Sequence, residues 1–150
     1  MKTVLVLYLS LSLDTSMYKY SQFWFIDSEI LPDVSKEYHI LIVGCFEGLS
    51  SVYFADHYLD HPNSTLTCVD PKHEYFDYNI SICENKDKIT IVNSLIIDKT
   101  FNFIYIDSVP DIDKAFSLLE KDGIMLIEEG NINHLDCKVL HLGCPIVITP

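Results

Sequence analysis

Four apolar runs in this chain each stop at a residue that could do chemistry. HILIV (residues 39–43) opens into the loop GCFEG (44–48), and TLTCV (65–69) ends at Asp70. FNFIYI (101–106) ends at Asp107, and GIMLI (123–127) at Glu128 and Glu129. Gly44 can take a turn conformation closed to other residues, and Gly48 lets the backbone pass close to a ligand. Two glycines four apart say little alone, but a strand before them and a helix after them strengthen the signal. Asp70 stands 26 positions beyond Gly44, where a carboxylate can accept hydrogen bonds from both hydroxyls of a ribose. Ahead of Pro71 it could equally be a solvated turn residue; taken with the glycine loop, ribose binding is the better reading. The loop lacks the G-x-G-x-x-G spacing that seats a pyrophosphate on a helix N-terminus. A nucleoside cofactor without phosphates therefore fits better than a dinucleotide, and an NAD-type oxidoreductase ranks below the readings that follow.

These residues need a scaffold that brings strand ends together. HILIV is a β-branched run of the kind buried on both faces of a parallel sheet. Leu49, Val52, Tyr53, Ala55 and Leu59 recur at intervals of three and four, so a helix is expected over 49–59, stopped by HPNS (61–64). Further strands are expected at 65–69, 88–92, 101–106 and 123–127, with helices around 77–84 and 111–120. KVLHL (138–142), then Gly143, Cys144 and Pro145, then IVIT (146–149) reads as a closing hairpin. The fold class is thus α/β: a Rossmann-like, mostly parallel twisted sheet with a C-terminal antiparallel hairpin and helices on both faces. In such a sheet, ligands bind at the carboxyl ends of the strands, where the strand order reverses.

Composition narrows the function. The 150 residues suit one domain. The domain is expected over 18–150, with 1–17 as an extension or signal-like segment. The apolar stretch 4–13 resembles the core of a secretory signal but is too short to span a bilayer. The other reading is a strand or an extension ahead of a second start at Met17. With 22 acidic against 10 basic residues the net charge is -12, which repels a phosphate backbone, so nucleic acid is a poor partner and a small-molecule substrate a better one. Cys45, Cys68, Cys83, Cys137 and Cys144 form an odd set without a CxxC pair. They read as reduced structural cysteines of a cytoplasmic protein, with secretion the alternative if residues 1–16 act as a signal.

Residues 39–71, HILIVGCFEGLSSVYFADHYLDHPNSTLTCVDP, resemble the first cofactor motif, helix and second motif of class I S-adenosylmethionine-dependent methyltransferases, especially a branch with a G-[ST]-F-E-G-x-S loop. The resemblance runs through SQFWF (21–25), KITIVNS (88–94), FNFIYIDS (101–108), LLEKDGIMLIEE (118–129) and KVLHLGCPIVIT (138–149), covering 18–150. It implies that Gly44, Cys45, Phe46, Glu47 and Gly48 line the methionine end of S-adenosylmethionine and that Asp70 holds the ribose. Asn93 and Ser94 match the loop at the adenine edge. Asp107 matches an acidic residue that faces the transferring methyl group, as general base or metal ligand. Glu128 and Glu129 match an acidic pair that helps hold a divalent ion in catechol-type relatives. Three hard oxygen ligands would suit Mg²⁺; solvated strand-end carboxylates are the alternative.

The chain departs from that pattern in three places. Ile42 stands where relatives have an acidic residue, SVPDID (108–113) lacks a Gly-Ser-His, and the stretches 107–123 and 129–138 are short. Two functions follow: O-methyl transfer to a small molecule or sugar, or a catalytically reduced methyltransferase-like binding module. His73 and His134 fall toward the strand-end face as weak base candidates.

Overall fold

The computed structural model describes residues 1–7, 30–44, 49–69, 76–106, 112–127 and 134–142. They form seven strands and three α-helices. In chain order these are β1 (Thr3–Leu7), β2 (His39–Val43), α1 (Leu49–Tyr58), β3 (Thr65–Val69), α2 (Phe76–Ser81), β4 (Ile89–Val92), β5 (Phe101–Ile106), α3 (Ile112–Ser117), β6 (Leu119–Ile127) and β7 (Lys138–Leu142). The strands make one sheet in the order β4-β3-β2-β5-β6-β1-β7, and every described pairing is parallel.

The apolar runs form strands because both faces of the sheet are covered, and the pleat sends alternate side chains to opposite sides. In β2, Ile40 and Ile42 join the core beneath α1 and α2, which contains Phe54, Tyr58, Phe76 and Phe103. Leu41 and Val43 join the other core, with Ile104, Met125 and, from α3, Ile112 and Ala115. Helices thus lie on both faces. Phe54 of α1 packs on Phe103 and Tyr105 of β5 with ring centroids 5.4 and 5.8 Å away, which seats α1 across the middle of the sheet.

The expectation for the carboxyl end changes. The antiparallel hairpin is absent among the described residues: Lys138–Leu142 runs parallel to β1, with Lys138 opposite Thr3 and Leu142 opposite Leu7. The turn signal at Gly143-Cys144-Pro145 says nothing about the neighbour β7 already has, and residues 146–149 lie outside the described ones. That neighbour comes from the N-terminal segment, for which a signal core, a strand and an extension were all open: Thr3–Leu7 is an inner strand paired on both sides, to β6 and to β7. Val4 is fully buried, and Lys2 donates to the carbonyl of Phe116 at 2.9 Å while its ammonium sits 4.4 Å from the centroid of that ring. A run of ten apolar-rich residues after a lysine has the composition of a signal core and of a buried parallel strand alike.

α3 is shorter and β6 longer than expected. The Phe101 N–H donates to the Leu118 carbonyl at 2.9 Å, and Leu119 already pairs with Phe101, so the helix cannot continue through 120. The register then shifts between Phe101 and Phe103. The extra residues of β6 bulge through Asp122, whose φ is 66°, a left-handed conformation that aspartate tolerates better than most residues.

Candidate functional site

The strand order reverses between β2 and β5. From β2 the chain steps outward to β3 and β4, returns to the far side of β2 as β5, and moves on to β6. A crevice forms at such a reversal because the loops leaving the two central strands turn to opposite faces.

Register then fixes which strand ends border it. Val92, Val69, Val43, Ile106 and Ile127 lie in one row across β4, β3, β2, β5 and β6, each opposite its neighbour. They are the last residues of their strands. The next residue along the chain in each case is one singled out from sequence: Asn93, Asp70, Gly44, Asp107 and Glu128. At about 4.8 Å between neighbouring strands, the five backbone exits span about 20 Å.

Of the sequence-derived site residues, Gly44, Asn93 and Ser94 lie among the described ones. Gly44 is partly buried and has φ 86°, the left-handed region, so the backbone leaving β2 turns as only glycine does without strain. Asn93 and Ser94 are exposed just beyond the edge strand β4. The Ser94 hydroxyl accepts from the Ile96 N–H at 3.3 Å, which closes a local turn and leaves the Asn93 amide as the better hydrogen-bonding group for a ligand edge. Cys45, Phe46, Glu47, Gly48, Asp70, Asp107, Glu128 and Glu129 lie outside the described residues, as does His73. Among the described residues no group of three His, Cys, Asp or Glu side chains could hold a metal ion. His134 pairs through Nε2 with Asp113 Oδ1 in the first turn of α3.

Ile42 is fully buried in the core beneath α1, in register with Cys68 on one side and Tyr105 on the other. An acidic side chain there would lose its hydration to apolar neighbours, so this strand position offers a cofactor no carboxylate. One contact near the site escaped sequence reading: Ser51, in the first turn of α1, is fully buried, and its hydroxyl lies 3.2 Å from the Cys68 thiol. The only signal for it was a serine at a core-facing helix position.

The perturbed titratable groups among the described residues gather at the opposite, amino end of the sheet. There the Glu37 carboxylate faces His39 Nε2 at 3.1 Å and His61 Nδ1 at 3.7 Å. The His39 bond first, then one from Asn63, hold the Glu37 carboxyl below its ordinary range. Burial lowers Lys99, whose ammonium donates to Thr65 Oγ1 at 2.8 Å. A cleft of about 290 Å³ opens beside Asp33, Lys36, Tyr38, Asn102 and Asp122. Its groups serve the chain itself. Asn102 accepts from the His39 N–H at 2.8 Å and donates to the Glu37 carbonyl at 3.1 Å, and the Tyr38 hydroxyl donates to the Asp33 carbonyl at 2.7 Å. These bonds fasten the entry into β2 and belong to folding, not to a site.

No family model and no curated protein matches the chain. Solved structures do. The O-methyltransferase TomG from Streptomyces achromogenes, involved in tomaymycin synthesis and solved in complex with SAM, superposes with a TM-score of 0.52 at 18% identity, over 65% of this chain and 51% of that one. A putative O-methyltransferase from Klebsiella pneumoniae superposes with a TM-score of 0.52 at 17% identity, over 75% of this chain and 55% of that one. The chain spans about half the length of each. At that identity the likeness is one of fold: the chain has the Rossmann-like fold of these O-methyltransferases. Among the described residues no helix is long and apolar enough to cross a membrane.

Proposed function

We propose that the protein binds S-adenosylmethionine at the carboxyl ends of β2 to β5 and transfers its methyl group to a hydroxyl of a small molecule or sugar. The observation that carries this reading is the single row of strand ends at the sheet reversal, with Gly44 left-handed at its centre. The SAM complex of a fold neighbour supports it. The segment Gly44, Cys45, Phe46, Glu47 and Gly48 receives the methionine end. With Ile42 apolar, Glu47 is the one carboxylate that segment offers the amino group. Asp70 accepts from both ribose hydroxyls, and Asn93 with Ser94 borders the adenine.

When bound, the cofactor would supply a methyl group on a sulfonium for in-line transfer to the acceptor oxygen, with the carbon–sulfur electron pair left on sulfur. Asp107 takes the hydroxyl proton as the new carbon–oxygen bond forms. The chain's main contribution is to hold acceptor and methyl in line. Ile106 and Ile127 are paired neighbours, Asp107 and Glu128 follow them in the sequence, and carboxylates of this kind would supply the hard oxygen ligands that Mg²⁺ prefers. EDTA treatment followed by Mg²⁺ checks that part: transfer lost and regained supports it, and indifference removes it.

The test of the whole reading is a screen of hydroxylated small molecules with radiolabelled S-adenosylmethionine, comparing the protein with Asp107→Asn. Label transfer reduced about 100-fold or more by the substitution supports it. Cofactor binding without transfer to any acceptor would support the binding-module reading in its place.

A further inference from the structure

The core beneath α1 is apolar almost throughout, with Ile42, Phe54, Tyr58, Leu66 and Phe103 fully buried. Within it Ser51 Oγ and Cys68 Sγ meet at 3.2 Å, both side chains fully buried. A polar pair in such surroundings adds little to stability, because the desolvation of both groups offsets most of the bond. What it adds is direction, since an alanine–valine contact of the same volume could slide and a hydrogen bond cannot.

Its position gives that direction a use. Ser51 is the third residue of α1 and follows Gly48 by three positions. Cys68 is the penultimate residue of β3 and precedes Asp70 by two. The bond therefore ties the helix turn that receives the glycine loop to the strand end that leads into Asp70. We propose that Ser51 and Cys68 are positioning residues that hold the first turn of α1 in register with the carboxyl end of β3, the two elements from which the proposed cofactor loop and ribose carboxylate are reached in the sequence. The inference rests on the cofactor site proposed above.

The test is calorimetric titration with S-adenosylhomocysteine, paired with thermal unfolding and amide hydrogen exchange, on Ser51→Ala, Cys68→Val, their double variant and Cys68→Ser. Each single deletion is expected to raise Kd roughly three- to tenfold. Cys68→Ser, which keeps a donor and acceptor, stays near the parent protein. The double variant fills the space with apolar groups and so recovers thermal stability, yet keeps the raised Kd. A double variant that recovers both stability and affinity, or single variants that fold and bind like the parent, would overturn the proposal. If the parent protein binds no S-adenosylhomocysteine, the cofactor reading fails. Hydrogen exchange then decides the joint on its own: faster exchange confined to the first turn of α1 and the end of β3 in Ser51→Ala upholds it, and an unchanged pattern overturns it.

Discussion

At the scale of single residues, the sharpest constraints are on two glycines and one carboxylate. Gly44 has φ 86°, where a Cβ costs about 1–2 kcal/mol. Gly44→Ala is expected to lower stability by about that much in urea unfolding and, if the proposed cofactor site is right, to weaken S-adenosylhomocysteine binding further, because that backbone borders the proposed site. Gly123 is constrained by space: a Cβ there would lie 2.7 Å from Leu119 Cδ1 and 2.9 Å from the Glu120 carbonyl oxygen. The leucine can yield and the carbonyl cannot, so Gly123→Ala should cost about 1–3 kcal/mol in the same measurement, with cofactor affinity unchanged in the protein that stays folded.

Glu37 governs part of the acid response. Its carboxyl is held below the ordinary range by His39 and Asn63, so its ionised form is favoured more in the folded than in the unfolded chain. That contribution is present above the unfolded value and is lost as pH falls through the folded one. Asp33, lowered by hydrogen bonds from Ser35, acts in the same sense. The urea midpoint of Glu37→Gln should therefore fall less steeply than the parent's as pH drops from about 6 to about 3; parallel curves would show that the cluster does not couple to folding.

At the scale of elements, the outcome turns on β1. It is the only described neighbour of β7 and pairs on its other side with β6, so a charge within it would be buried with no partner. Val4→Asp is expected to cost more than about 3 kcal/mol. Unchanged stability would show that residues 3–7 lie outside the folded domain. β2, β3, β4 and β5 were legible because each is a short run rich in β-branched or aromatic residues and ended by glycine, a carboxylate or a polar pair. The length of β6 was not, since Leu119 and Glu120 carry a helical pattern until the pairing of Phe101 with Leu119 claims them. Nor was the direction of β7, because the identity of its neighbour depends on a strand more than 100 residues earlier in the chain.

At the scale of the whole molecule, the proposed site is a property of topology. Five strands run parallel and end in register around a reversal. Those strand ends could be read from sequence, since every candidate was placed by the strand it follows. The joint between Ser51 and Cys68 could not, because neither residue has a neighbour in the chain that signals a partner across the core. For the proposed transfer, the charge of -12 favours neutral or cationic small-molecule acceptors over polyanions. Transfer, once an acceptor is found, should fall with increasing salt for a cationic acceptor and stay level for a neutral one.

The most direct test is calorimetric titration of the folded protein with S-adenosylmethionine and S-adenosylhomocysteine, beside Asp70→Ala. The account expects micromolar binding, about -8 kcal/mol, abolished in a variant whose thermal unfolding matches the parent's. A folded parent protein that binds neither ligand would contradict it, and would mean that the strand-end row is a scaffold without its cofactor.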